Sequence, residues 1–479
     1  MSAASNGQEP NPLLCAPGLE LIPTWLTDIG ALMNALEFNP LAGLRPAEMS
    51  KFDRVLQVDD LKRIFVPAPQ PARVAQRMLR ALYQGLRQRN PRLETVRRDL
   101  NALAQHLGKA LTDLPWFPNQ AVGIVLEGIT GIGKSHIADR VLSLLPQVIV
   151  HEPKGDWGMH RLKQLIWLKV PMPADHSRKG LLINCIKEID RALGTNYEAQ
   201  HVKTTVRVEF LIVTVMYILA QHRCGLLVIE ESQAENLGSR VFSRDFLNYF
   251  LRILNWGIPV MLIGNPLAFE QLRLHAQDVD RFSEGGWFTM LPAFGPDAPI
   301  WRDIWMPRLW GPSLMDKPDA AFEALPSYPA ITSWDQLIWR FTGGLPRLVC
   351  RLRIETLDDA LSNDIEVITT SVVASVFEKS PAFTASRERI KALATHDFEN
   401  LWRYKDLPVS QLRMYWTPKA EQKTPDIATE QTTPRTPSPP PAASPSRQSK
   451  RAGEASPRSK LCRDISEATE VNASKRKAR

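Results

Sequence analysis

Residues 122–135 read VGIVLEGITGIGKS, an apolar run that leads directly into a glycine-rich loop. From Gly128 to Ser135 the spacing satisfies the pattern G-x-x-x-x-G-K-[ST], which is typical of a loop that binds phosphate groups. Glycines let backbone N–H groups approach phosphate oxygens, and the N-terminus of the following helix adds positive potential. Because a strand pattern precedes the loop and a helical pattern follows it, the stretch predicts a nucleotide-binding α/β domain.

The residues of this loop have separate expected roles. Lys134 is expected to reach the β- and γ-phosphates, and the hydroxyl of Ser135 is expected to bind Mg²⁺. The alternative is a chance glycine-rich turn, which the strand and helix patterns on either side argue against. The predicted cofactors are ATP and Mg²⁺, and the nucleotide-binding candidates are Gly128, Ile129, Thr130, Gly131, Ile132, Gly133, Lys134, Ser135 and His136.

Short apolar runs alternate with helical patterns around this loop. Continuous apolar runs are typical of parallel strands that are buried on both faces. Strand–helix alternation of this kind predicts an α/β core with a parallel sheet. The predicted strands are 122–126, 147–150, 165–170, 226–229, 260–263 and 288–291.

The remaining chain divides by composition. The predicted segments are a helical N-terminal region (1–110) for partner or DNA contacts, the nucleotide-binding core (111–295), a helical region (296–415) and a tail (416–479). The tail is rich in Pro, Ser and Thr and cannot bury an apolar core, so it is expected to be disordered. From residue 417 onward it carries 13 basic and 7 acidic residues, a net charge of +6. The whole chain has a net charge of +8, so the first 416 residues have a net charge of only +2. The basic balance of the whole chain therefore does not by itself indicate nucleic-acid binding.

Composition also excludes several classes of protein. The chain has 479 residues, 44% of them hydrophobic and 23% charged, as in ordinary globular proteins. Its five cysteines are scattered without a C-x-x-C pair, which fits a reducing compartment and argues against a thiolate zinc site. The N-terminus lacks a signal-peptide profile, and the longest apolar run is shorter than the about 20 residues that cross a bilayer. These features predict a soluble cytoplasmic protein without a membrane partner.

A second functional stretch, GLLVIEESQ at 225–233, ends an apolar strand in two carboxylates. Parallel sheets place ligand sites at the carboxyl ends of their strands. Glu230 is therefore expected to hold Mg²⁺, and Glu231 to orient and polarise the attacking water. A solvated acidic turn is the alternative. Asp is usual at the first position in P-loop ATPases, so the longer Glu230 leaves slow hydrolysis open.

Several stretches beyond the glycine-rich loop carry a family resemblance: 64–70 (IFVPAPQ), 89–91, 128–135, 142–151, 164–169, 179–182, 193–197, 227–233, 260–266, 341–347 and 404–407. In these stretches the chain resembles the TnsC/TniB family of AAA+ ATPases, which regulate DNA transposition. The resemblance covers most of residues 60–410, and its departures are Glu230 where Asp is usual and Asn265 where the family often has Thr.

This resemblance implies an AAA+ P-loop fold in which residues 296–415 form a helical lid. It implies that the protein binds ATP and assembles on double-stranded target DNA as a homo-oligomer, either a ring or a filament. It also implies a link between a target-selection protein of the TniQ/TnsD type and transposase subunits in the bacterial cytoplasm. Nucleotide hydrolysis would then release or remodel the assembly.

Three further polar residues match sensor or finger positions of AAA+ proteins. Asn265 ends an apolar run and is a first-sensor candidate, although an Asn-Pro turn explains it equally well. Arg347 follows the Gly343-Gly344 break and is a second-sensor candidate, with a solvated helix-start arginine as the alternative. Arg281 is a candidate finger for a neighbouring subunit's nucleotide, a type of residue worth ~10³–10⁵ in rate.

Partner contacts and competing functions remain open at this level. The candidates for contacts to DNA are Arg73, Arg77, Arg80, Arg87 and Arg89, with the basic tail as a further candidate for DNA or partner contacts. A solvated helix face is the alternative for the arginines. A helicase loader or replication initiator is one competing function, and a nucleotide-gated scaffold with negligible hydrolysis is another.

Overall fold

A five-stranded parallel sheet lies at the centre of the structure. The computed structural model describes residues 16–109, 120–152, 161–173, 177–203, 205–230, 244–274, 276–405 and 407–416. These residues all belong to one compact unit, Met1–Gln422. Glu231 and the predicted tail from residue 417 lie outside the described residues, whereas Trp416 closes the last described helix and is buried.

The strand order of this sheet is β4-β5-β6-β1-β7, and every neighbouring pair is parallel. The carboxyl ends of β1, β5 and β6 therefore meet at one edge, as the α/β prediction requires. The strands are β1 (Gly123–Gly128), β2 (Val148–His151), β3 (Leu162–Leu165), β4 (Trp167–Pro171), β5 (Leu226–Glu230), β6 (Val260–Gly264) and β7 (Trp287–Met290).

The prediction of six parallel strands was wrong for two segments. The run 147–150 forms β2, which pairs antiparallel with β3 in a separate two-stranded sheet. The run 165–170 is divided at Ile166 between β3 and β4, so one apolar stretch serves both sheets. β2 is not covered on both faces, and Val150 is 44% exposed, which is why it does not join the buried parallel sheet.

Helices surround the sheet and form most of the N-terminal region. They are α1 (Ile29–Leu36), α2 (Lys51–Gln57), α3 (Pro69–Gln88), α4 (Glu94–Ala104), α5 (Lys134–Ser143), α6 (Arg178–Leu193), α7 (Tyr197–His201), α8 (Val208–Gln221), α9 (Arg244–Asn255), α10 (Glu270–Arg273) and α11 (Ala276–Ser283). Among the described residues, no helix is both long enough and apolar enough to cross a membrane.

The predicted lid is helical throughout most of its length. It contains a π-helical turn at Ile300–Trp305, followed by α12 (Met306–Trp310), α13 (Trp334–Thr342), α14 (Pro346–Ser362), α15 (Thr370–Lys379), α16 (Arg387–Ala394), α17 (Phe398–Leu401) and α18 (Val409–Trp416). Its apolar side chains share one continuous core with α3, α5 and one face of the sheet.

Alternate residues of the central strands enter two different cores. In β5, Val228 packs with α3 and the lid, whereas Leu227 and Ile229 pack with α6, α8 and α9. This alternation follows from the two-residue period of a strand. Both faces of the sheet are thus covered, and the predicted site residues of β1, β5 and β6 follow its carboxyl edge.

The structure corrects one of the predicted DNA contacts. Arg89 lies at the C-terminal end of α3 and is only 3% exposed. Its guanidinium donates hydrogen bonds to the carbonyls of Gly257 and Cys224, which precede β6 and β5. Burial lowers the pKa of Arg89 to about 10, so it stays cationic at neutral pH while holding the starts of two strands together. It is therefore not available to contact DNA.

Candidate nucleotide site

The glycine-rich loop connects the carboxyl end of β1 to the N-terminus of α5. Gly133 precedes the helix with φ +99°, a left-handed conformation that favours glycine. Gly128 is required for a different reason, because a Cβ there would lie 2.7 Å from the Met290 carbonyl of β7. The predicted motif thus has the strand–turn–helix geometry that lets backbone N–H groups surround a phosphate.

Lys134 lies over this loop. Its ammonium donates hydrogen bonds to the carbonyls of Gly128 at 2.7 Å and Ile129 at 3.2 Å. The next residue, Ser135, hydrogen-bonds the carboxylate of Glu230 at the end of β5. The structure therefore brings together the two predicted metal ligands, Ser135 and Glu230, which are far apart in the sequence.

Lys169 is a site residue that the sequence analysis missed. It lies on β4 in register with Val228 of β5, so its side chain faces the same side as that of Glu230. Its ammonium is 2.8 Å from a Glu230 carboxylate oxygen and 2.7 Å from an Asp139 carboxylate oxygen. A single lysine within the apolar run WLKV was the available signal, since a charged residue in a buried strand requires a partner.

This ion pair affects the ionisation of Glu230. Burial by itself raises the pKa of Glu230, but hydrogen bonds from Lys169 and Ser135, together with the charges of Lys169 and Lys134, outweigh that effect. The resulting pKa lies below the ordinary value of 4.5, and Glu230 is an anion at neutral pH. Lys169 in turn has a raised pKa, because hydrogen bonds to Asp139 and Glu230 outweigh its burial.

We expect Lys169→Met to lower the free energy of unfolding at pH 7 by about 1–2 kcal/mol, because two carboxylates lose a shared charged donor. The pKa of Glu230 is lower in the folded state, so the contribution of the pair is present above pH 4.5 and is lost as the pH falls through the folded pKa. Urea titrations from neutral to acidic pH, without nucleotide, should show the difference from wild type shrinking on acidification.

Lys51→Met is the matched control for this experiment. Lys51 contacts Asp364 at 2.7 Å, but both side chains are largely exposed, so its loss should cost less than about 1 kcal/mol. A difference between Lys169→Met and wild type that does not change with pH would contradict the assigned role of the Lys169–Glu230 pair.

The lid reaches the loop through the start of α14. Gly344 has φ +70°, and a Cβ there would clash with the Trp339 ring at 2.1 Å, so the turn between α13 and α14 requires glycine. Leu345 is the N-cap residue of α14, and Arg347 lies in the first turn of this helix. The backbone N–H of Arg347 donates to the Gly131 carbonyl at 3.2 Å. Arg347 also lines the pocket above the loop, and its role as a second sensor stays a prediction.

The other predicted residues take different positions. Asn265 lines the same pocket, and its Oδ1 also accepts a hydrogen bond from the Leu267 N–H, so the two interpretations of this residue are compatible. Arg281 is exposed on α11 and does not line this pocket, which leaves its expected role with a neighbouring subunit untested. Glu231 lies outside the described residues.

The site is a pocket of about 750 Å³, a volume in the usual range for nucleotide-sized ligands. Thr130 to His136 line the side of the pocket that we expect to hold phosphate, the phosphate side, whereas Gly128 and Ile129 do not line it and present carbonyls to Lys134. The N-terminal region and the lid supply most of the rest of the lining, which mixes charged side chains (Asp59, Lys62, Arg351 and Glu355) with apolar ones (Ile64, Phe65, Val66, Trp305, Leu309 and Ile354). The sequence analysis noted 64–70 but did not assign it to the nucleotide site.

The match to a protein-family model supports the fold. Residues 119–272 match the family model of the AAA domain. No curated protein sequence matches the chain. Among solved structures, the ORC2 protein of Aeropyrum pernix in its ADPNP–ADP complexes is similar, with 13% identity, 67% of this chain and 84% of that chain covered, and a TM-score of 0.36. The RuvB Holliday junction branch migration motor of Thermotoga maritima is also similar, with 14% identity, coverage of 67% and 80%, and a TM-score of 0.28.

The family match covers the part of the chain that contains β1, the glycine-rich loop, β5 and β6. An AAA domain is in general a nucleotide-hydrolysing P-loop ATPase. From the parallel sheet, the loop geometry and this match, we conclude that the chain has the AAA+ P-loop NTPase fold.

Proposed function

We propose that this protein is an ATP-dependent AAA+ regulator of DNA transposition that acts in the bacterial cytoplasm. It assembles on double-stranded target DNA as a homo-oligomer and connects a target-selection protein of the TniQ/TnsD type to the transposase. The observation that carries the nucleotide part is the convergence of Lys134, Ser135, Glu230 and Arg347 on one pocket. The transposition part rests on the resemblance of residues 60–410 to the TnsC/TniB family.

The donor set of the site fits Mg²⁺. Ser135 and Glu230 present a hydroxyl and an anionic carboxylate beside the phosphate side of the pocket, and oxygen ligands of this kind suit Mg²⁺. Bound there, the metal supplies positive charge to the phosphate oxygens. Lys134 adds a second cation, and Arg347 adds a third from the lid. We assign Glu231 the role of orienting and polarising the attacking water, because it directly follows Glu230 at the end of β5.

One observation favours slow hydrolysis, and with it the nucleotide-gated scaffold as a second candidate function. Glu230 is already engaged by Lys169, at 2.8 Å, and by Ser135, so a metal ion would share this carboxylate with both residues. Such a pair lowers the charge that Glu230 offers to the metal. A slow ATPase keeps an ATP-bound assembly on DNA long enough to recruit a partner.

The DNA part of the proposal is supported by a row of arginines on α3. Arg73, Arg77 and Arg80 are exposed and Arg87 is half-buried, at spacings that place them along one side of the helix. Within the described part of the chain, none of these four forms an ion pair. Unpaired arginines in a row suit the phosphate backbone, which binds cationic side chains independently of sequence.

We expect Arg77→Ala with Arg80→Ala to weaken binding to all duplex sequences alike. Each lost phosphate contact should reduce the slope of log K against log of the salt concentration by about 1. For the double variant we therefore expect a slope that is smaller in magnitude by about 2. Arg45→Ala with Arg302→Ala is the control, since both arginines are exposed and removing them changes the net charge equally. Fluorescence anisotropy of labelled duplex DNA over a series of salt concentrations measures the affinity and its salt dependence. Equal salt dependence in the two double variants would exclude the α3 row as the DNA contact.

The proposed function as a whole is tested by imaging the protein on duplex DNA with ATP and with ADP, with and without the transposase. We expect ordered oligomers with ATP, fewer with ADP, and transposase bound only to the ATP-dependent assembly. Recruitment of a replicative helicase instead of the transposase would favour the loader. Assembly without measurable phosphate release, even with DNA, would favour the scaffold.

A further inference from the structure

A buried ion pair lies directly below the glycine-rich loop. Glu127 is the residue before Gly128, and its side chain is fully buried. Both of its carboxylate oxygens are 2.6 Å from Nη2 of Arg273 on α10, and Thr289 of β7 donates a further hydrogen bond. Neither Glu127 nor Arg273 lines the nucleotide pocket.

Arg273 also contacts the other strands that end at the site. Its Nη1 donates to the carbonyl of Pro266, the residue after Asn265, at 3.3 Å. Its guanidinium lies over the Trp287 ring of β7, 5.0 Å from the ring centroid. One side chain therefore connects the ends of β1 and β6 with β7, and a rigid guanidinium fork holds these contacts in fixed geometry.

The segment that follows Arg273 runs along β1 toward its other end. In α11, Phe282 is fully buried, and a Cβ on Gly123 would lie 2.7 Å from the Phe282 backbone. Beyond the helix, the Gly285 N–H donates to the Gly123 carbonyl at 2.8 Å. Residues 273–285 thus contact β1 at Glu127 and again at Gly123, and Arg281 lies between these two contacts.

We propose that Arg273 is a positioning residue that couples the α11 segment carrying Arg281 to the phosphate loop through Glu127 and β1. The inference rests on the proposed function, in which Arg281 acts on a neighbouring subunit's nucleotide. Through this connection, occupancy of a subunit's own site changes the order of the segment that it offers to its neighbour. Coupling of this kind requires an element that both sites influence, and the proposal assigns that role to β1 with the 273–285 segment, which contact each other at Glu127 and at Gly123.

The test compares hydrogen exchange in α11 with and without a non-hydrolysable ATP analogue and Mg²⁺, on protein that sedimentation shows to be monomeric. We expect nucleotide to slow exchange of residues 276–283 in wild type by about 5-fold or more, the lower end of typical coupling between sites. In Arg273→Met with Glu127→Gln the slowing should disappear, while nucleotide affinity stays within about threefold of wild type. The double change leaves no unpaired charge in the core.

A closely matched buried pair in the lid provides the control. Arg353 contacts both carboxylate oxygens of Asp319 at 3.1 and 2.8 Å, donates to the Pro312 carbonyl, and lies over the Trp310 ring. Arg353→Met with Asp319→Asn should lower thermal stability comparably but keep the nucleotide-dependent protection of α11. Arg273→Lys, which keeps the charge but not the fork, should lose part of the protection and serves if the double variant does not fold.

The outcomes separate this inference from the proposed function. The coupling is overturned if nucleotide slows hydrogen exchange in α11 of the Arg273 variants as much as in wild type. It is also overturned if nucleotide does not slow this exchange in wild type. Equal loss of protection in the lid control also overturns it, because the effect would then follow from general destabilisation. Absence of phosphate release by wild type counts against the ATPase and leaves the exchange result to decide the coupling.

Discussion

Lys134→Ala should weaken nucleotide binding by about 100-fold or more, because it removes the cation over the loop that we propose binds the β- and γ-phosphates. That factor corresponds to about 2.7 kcal/mol of binding free energy. ATP-dependent assembly on DNA should be lost with it. Titration with a fluorescent ATP analogue measures the affinity, and sedimentation with DNA measures the assembly.

Lys203→Ala is the control for this variant, since Lys203 is exposed and does not line the pocket. Lys134 donates to two carbonyls of its own loop, and we expect its replacement to change thermal stability little. Wild-type affinity in a folded Lys134→Ala variant would show that the loop does not bind the nucleotide phosphates.

Glu231→Gln should keep ATP binding and lower the hydrolysis rate by about 10²-fold or more, because the amide retains size and hydrogen bonding but cannot accept a proton from water. Oligomers on DNA should persist longer in the presence of ATP. Single-turnover phosphate release and the lifetime of the DNA complex are the two measurements. Glu230→Asp, made in parallel, restores the usual shorter carboxylate and should raise the rate.

Glu94→Gln is the matched control, because Glu94 is exposed on α4 and lies away from the pocket. If Glu231→Gln and Glu94→Gln hydrolyse ATP at the same rate, Glu231 is not the residue that activates water. A very low rate in wild type as well would favour the scaffold function, and the effect of Glu230→Asp would then show whether the length of that side chain limits turnover.

Local sequence determined the elements that carry the nucleotide site. Strand β1, the glycine-rich loop and α5 follow one another without interruption, so each supplies the context for the next. The apolar run before Glu230 likewise predicted β5. Glycines at Gly343 and Gly344 marked the turn that the structure requires before α14. These predictions succeeded because backbone conformation and periodic burial depend on neighbouring residues.

Several features could not be obtained in this way. The division of 165–170 between two sheets depends on what covers each strand, and one apolar run looks the same in either sheet. Arg89 resembled its exposed neighbours on α3, yet its position at the helix end directs it between β5 and β6. The placement of 64–66 on the nucleotide pocket depends on how the N-terminal region folds back.

By itself, therefore, the sequence determined that this chain contains a phosphate-binding loop in an α/β core and which strands end in candidate catalytic residues. Only the tertiary structure decided which charges meet. The pairing of Lys169 with Glu230 and Asp139, the Arg273–Glu127 contact and the docking of Arg347 on the loop join residues that are from 30 to 216 positions apart. Periodicity carries information over a few turns of a helix or strand, whereas contacts over such separations are specified by packing of the whole core.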